Sequence, residues 1–99
     1  MYKNRKHLLK TCRYLMTIAR RAGAKKVVAK IKINDGKDDQ ADFLEIALSP
    51  GSTGEDLEKQ IFEKSKEVKG RKATDIKYLK NKRTQDTWYF LFELQKKDN

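Results

Sequence analysis

The sequence predicts a single small α+β domain, residues 1–99, with element order α-β-β-α-β-β: an antiparallel four-stranded sheet with two helices on one face. Three observations carry that expectation. Apolar residues recur every three or four positions in two stretches, which is the helical period. They alternate in three others, which is the period of a half-buried strand. Glycine, proline and an Asn-Asp pair fall between these stretches or at their ends.

Residues 4–22 predict the first helix. Leu8, Cys12, Leu15, Ala19 and Ala22 share one side, widened by Leu9 and Met16. Gly23 follows as the terminator, and Arg20 and Arg21 suit the negative end of the helix dipole. Val27–Ile33 then alternates, with Val27, Ala29, Ile31 and Ile33 inward and Val28, Lys30 and Lys32 outward. Asn34-Asp35-Gly36 opens a polar connection, and Ala41–Leu48 predicts a second strand with Leu44, Ile46 and Leu48 inward. Pro50 and Gly51 end it. Ser52 and Glu55 predict a capping box for a second helix over 53–69, with Leu57, Ile61, Phe62, Ser65 and Val68 facing the core and Gly70 ending it. Thr74–Lys80 alternates only weakly, at Ile76 and Tyr78. Thr87–Gln95 is the strongest strand pattern, with Trp88, Phe90, Phe92 and Leu94 on one face and Tyr89, Leu91 and Glu93 on the other.

Charge is segregated along the chain. Of 99 residues, 24 are Lys or Arg and 14 are Asp or Glu, a formal charge of +10. Residues 1–32 hold eleven cations and no acid, residues 33–67 four lysines against ten acids, and residues 68–99 nine cations against four acids. The local charges are therefore +11, −6 and +5. Uniform mixing would serve solubility alone, whereas segregation creates a directional field.

That field makes nucleic acid, DNA or RNA, the expected partner, with clustered Lys and Arg contacting phosphates. Lys6, Lys10, Arg13, Arg20 and Arg21 on the first helix form the first expected contact, and Arg71, Lys80, Lys82 and Arg83 the second. Tyr78 and Tyr89 would stack on unpaired bases if they lay on an open sheet face, although a tyrosine in a strand more often packs, and Tyr89 reads so here. If both clusters formed one surface engaging six phosphates, the log–log salt slope on duplex DNA would be about −5. The alternative expectation is a small regulatory or inhibitory protein that docks on a larger protein or ribonucleoprotein complex. It would use the open sheet face, an edge strand or the acidic 35–45 stretch.

Several classes are disfavoured. One Cys and one His exclude an internal disulfide framework and a Cys/His zinc site within one chain. Asp35, Asp38, Asp39 and Asp42 do not have the spacing of a Ca²⁺ loop and read as turn chemistry. Gly51-Ser52-Thr53-Gly54 lacks the lysine of a phosphate-binding loop, and Glu55 and Asp56 would repel an anion there. Neither His7 nor Cys12 has a partner for acid–base or nucleophilic catalysis. No enzyme activity, cofactor or metal is expected.

Lys25-Lys26-Val27-Val28-Ala29-Lys30 is similar to the lysine-rich motif of double-stranded RNA-binding domains. That motif opens a C-terminal helix, whereas this one leads into a strand, and nothing is transferred from it. An acid-free amphipathic start also describes a mitochondrial presequence, yet residues 1–32 contain no Ser. The apolar stripe of the first helix lacks Trp and Phe, which favours core packing over membrane binding. No apolar run approaches the roughly 20 residues needed to cross a bilayer, so a cytoplasmic location is expected.

Overall fold

The computed structural model describes residues 3–34 and 41–96, apart from the side chains at positions 3, 4 and 74. Helix α1 (Lys3–Arg21) is followed by strands β1 (Lys26–Lys32) and β2 (Phe43–Leu48), helix α2 (Gly54–Ser65), and strands β3 (Arg71–Arg83) and β4 (Thr87–Lys96). Asp35, Asp38 and Asp39 lie outside the described residues.

Helix α1 buries most of the stripe that its periodicity marks, but it ends at Arg21, which leaves Ala22 exposed in the turn, and Leu9 at the stripe's margin is half-buried. Cys12 and Ala19 are fully buried, and Leu8, Leu15 and Met16 nearly so. It ends in a Schellman turn: the Gly23 N–H donates to the Arg20 carbonyl at 3.1 Å and the Ala24 N–H to the Ala19 carbonyl at 3.0 Å. The turn requires the left-handed backbone of Gly23, φ 77°.

Helix α2 starts one residue later than expected, at Gly54 rather than 53, and stops four residues earlier, at Ser65 rather than 69. Thr53, not Ser52, is the cap: its hydroxyl accepts from the Asp56 N–H at 3.1 Å, and the Asp56 carboxylate accepts from the Thr53 N–H at 3.0 Å. These bonds hold the Asp56 carboxyl below its ordinary pKa. Leu57, Ile61 and Ser65 are buried as expected, while Phe62 and Val68 are half-buried.

The expected purely antiparallel sheet is incorrect. The described strands form a mixed sheet of order β2-β1-β4-β3, in which the two central strands, β1 and β4, run parallel. The outer pairs β1–β2 and β3–β4 are antiparallel. The cause lies in α2. A helix that carries the chain from one sheet edge across the face to the other returns it in the same direction, so β2 and β3 share a direction. Hairpin pairing at each edge then forces β1 and β4 to be parallel. The weak pattern at 74–80 is part of a long strand, Arg71–Arg83, which also absorbs Asn81, Lys82 and Arg83 from the expected connection. Its register slips between Tyr78 and Lys80, where the extra residue Leu79 is accommodated as a bulge.

Both helices cover one face of this sheet. Val27, Ala29, Ile31, Phe90, Phe92 and Leu94 project into one cluster with Leu15, Met16, Leu57 and Ile61. The result is a small compact α+β domain with a helical layer on one side and an open sheet face on the other. One polar group in the core stands out. The Ser65 hydroxyl is fully buried and has no hydrogen-bond partner among the described residues. Ser65→Ala is therefore expected to raise stability by about 1 kcal/mol, because it removes an unsatisfied group with little change in volume. Urea denaturation checks this, and a lower midpoint for the variant would refute it.

Candidate nucleic-acid interface

The two cationic clusters expected from sequence are held by different layers. Helix α1 presents Lys6, Lys10, Arg13, Arg20 and Arg21, all exposed, on the side away from the sheet. No acid occurs anywhere in the helix. Tyr14, 65% exposed, stands on the same outer surface, one helical turn beyond Lys10. Arg13 differs from its neighbours because its guanidinium donates to the Glu55 carboxylate of α2. That hydrogen bond holds the Glu55 carboxyl below the usual glutamate range. Arg5, deeper between the helices, donates to both oxygens of the buried Glu58 and lies 4.2 Å from the Phe62 ring centroid. Arg5 thus serves the helix–helix contact.

The second cluster divides in turn. Arg71 is half-buried and donates to the Leu94 carbonyl at 3.3 Å. Arg83 shares a register position with Trp88 and holds its guanidinium 5.5 Å from that ring's centroid. Lys80 and Lys82 pair with Leu91 and Tyr89, whose side chains face the open side of the sheet. Tyr78 is not on that side: it pairs with Phe92, their ring centroids 5.6 Å apart, and its hydroxyl accepts from Asn81 at 2.8 Å. Tyr89 is half-buried on the open face. The single binding surface expected from sequence is therefore incorrect, since the sheet separates the α1 cations from Lys80 and Lys82.

Strand register arranges the open face in three rows. Ala47, Val28, Tyr89 and Lys82 form one; Glu45, Lys30, Leu91 and Lys80 the next; Phe43, Lys32, Glu93 and Lys77 the third. Two lines of lysine, one on β1 and one on β3, thus flank Tyr89 and Leu91 of β4. Sequence reasoning did not place Lys30 or Lys32 in a site. Their outward positions in alternating strands were a visible signal, but only the parallel β1–β4 pairing brings the two lines together. Lys30 is partly engaged, with its Nζ 3.6 Å from Glu45 and 5.2 Å from the Phe43 ring centroid. Lys77, Lys80 and Lys82 are exposed and form no ion pair with any described residue. A hollow of about 300 Å³ opens on this face, lined by Lys30, Lys82, Arg83, Thr84, Tyr89 and Leu91.

Among the described residues, no group of three or more His, Cys, Asp or Glu is placed to hold a metal ion. No helix among them is long and apolar enough to cross a membrane. Comparison with known proteins returns no match to a family model, a curated protein or a solved structure.

Proposed function

We propose that the protein binds nucleic acid through its phosphate backbone and catalyses no reaction on it. The observation that supports this reading is the acid-free outer surface of α1, where Lys6, Lys10, Arg20 and Arg21 stand exposed without a described ion-pair partner. A helix that served only as a solvated face would gain from interspersed acids at i+4, and α1 has none.

Because the sheet divides the cations, a rigid duplex meets one surface at a time. About four α1 contacts give an expected log–log salt slope near −4 on duplex DNA, shallower than six contacts would give. Lys10→Glu, Arg20→Glu and Arg21→Glu together should weaken binding at least tenfold, about 1.4 kcal/mol, in a filter-binding titration at two salt concentrations. Salt-insensitive binding, or an unchanged affinity in the triple variant, would sink the reading.

A regulatory protein that docks on a larger complex is the second reading, favoured by the two edge strands: among the described residues, β2 and β3 each have a strand neighbour on one side only. Pull-downs with and without nuclease separate the two, since a protein contact survives nuclease and a nucleic-acid tether does not.

A further inference from the structure

The open sheet face combines two features that a phosphate clamp does not need together. One is the pair of lysine lines, with Lys30 and Lys32 on β1 and Lys77, Lys80 and Lys82 on β3. The other is the strip between them, where Tyr89 is half-buried and Leu91 is 8% exposed. Resting on the nucleic-acid reading above, we infer that this face is a track for single-stranded nucleic acid, on which an unpaired base stacks on Tyr89 while Lys30, Lys80 and Lys82 hold the flanking phosphates.

Charge and shape select this occupant. Leu91 has Lys30 and Lys80 one strand spacing away, roughly 5 Å, on its two sides. Tyr89 has Lys82 on one side and, beyond its β1 neighbour Val28, Lys30 diagonally on the other, so a base resting on Tyr89 has phosphate-binding groups on both flanks. The 300 Å³ hollow has Tyr89 and Leu91 as lining and Lys30 and Lys82 as cationic members, while the Arg83 guanidinium is held over Trp88. It is at the small end of ligand sites, with room for a flat ring and not for a helix. A duplex keeps its base faces stacked on one another and offers a flat sheet only its phosphates. A single strand offers both a base face and a phosphate at each nucleotide. An acidic peptide would satisfy the lysines but has no regular aromatic face for Tyr89. Of the acids in the three rows, Glu45 stands beside Lys30 and Glu93 between Lys32 and Lys77, and the row of Tyr89 and Lys82 contains none.

The test uses fluorescence anisotropy with the full chain and labelled probes of about 12 nucleotides: oligo(dT), oligo(U), an abasic strand of equal charge, and a duplex. The base-bearing strands are expected to bind about 5- to 150-fold more tightly than the abasic strand, the range for one stacked base. Tyr89→Leu, which keeps an apolar side chain, should remove that preference and leave duplex binding unchanged, and Tyr89→Phe should retain it. Lys80→Gln with Lys82→Gln should reduce the single-strand salt slope by about 1.4. Comparing oligo(dT) with oligo(U) tells DNA from RNA. Equal affinity for abasic and base-bearing strands, a Tyr89→Leu loss shared by the duplex, or equally good competition by polyglutamate would overturn the inference. If no probe binds in a salt-dependent way, the broader nucleic-acid reading fails instead.

Discussion

Gly54→Ala is expected to destabilise the protein by about 2 kcal/mol, or roughly 8–16 °C in Tm for a domain of this size. On an ordinary helix the same change would help, because alanine exceeds glycine in helix propensity by about 1 kcal/mol. Here the site decides the sign. A Cβ on Gly54 would lie 2.5 Å from the Arg13 Cα and 2.6 Å from the Arg13 backbone nitrogen. Those are main-chain atoms in the middle of α1, so no side-chain rotation relieves the contact, and α2 must move away from α1. That movement would also disturb the Arg13–Glu55 pair and the packing of Leu57 and Ile61. Gly51→Ala is the matched control. It lies three residues before α2 begins, and a Cβ there meets only the Ser49 hydroxyl, at 4.0 Å, so the variant's Tm should stay unchanged or rise slightly. Thermal unfolding of both variants settles the matter, and equal shifts would show that the helices do not rely on this close approach.

Periodicity explains why much of the fold was legible in the chain. Most residues expected to face inward on α1, β1 and β4 are buried, because one apolar face per element has a single way to leave water. Ala22, however, is exposed, Leu9, Ile33 and Trp88 are half-buried, and Val28 and Leu91, expected outward, are buried too. Strand direction was less legible, yet its cause was present in the element order. One helix between β2 and β3 makes those strands run the same way, and two hairpins then fix the rest. That crossover is incompatible with antiparallel neighbours throughout. The limits of β3 were hidden for a different reason. A bulge at Leu79 breaks the two-residue alternation, and Asn81, Lys82 and Arg83 have the composition of a turn although they pair with Phe90, Tyr89 and Trp88.

The candidate site shows the same division. Alternation and helical spacing assign each cation to a face of its own element, so Lys6, Lys10, Arg20 and Arg21 were already grouped in the sequence. What no single element reveals is how faces combine. Lys30 and Lys82 are far apart in the chain and stand two strands apart on one surface only because β4 inserts between their strands. The same insertion puts Tyr89 between them and turns Tyr78 inward against Phe92. The Arg13–Glu55 and Arg5–Glu58 pairs arise similarly, from two helices whose contact sequence pattern does not report.

Alkaline pH should destabilise the protein through Cys12, beyond the general effect of losing lysine charge. The thiol is fully buried on the core side of α1. Burial, followed in importance by the negative charge of Glu58, pushes its pKa from 9.0 up to about 12. The folded protein therefore keeps this proton while the unfolded chain releases it. The resulting stabilisation is complete below pH 9 and is lost as pH rises from 9 towards 12, at about 1.4 kcal/mol per pH unit. Urea unfolding of the native sequence and of Cys12→Ala, followed from about pH 7 to about pH 11, isolates the effect because lysines and tyrosines titrate in both proteins. Alanine loses some apolar burial, so its curve starts lower, and the two curves should converge as pH increases above 9. Parallel curves would refute the assignment. The same burial predicts that a thiol-labelling reagent at mildly alkaline pH reacts only as fast as the core opens, and Gly54→Ala should accelerate that labelling more than Gly51→Ala does.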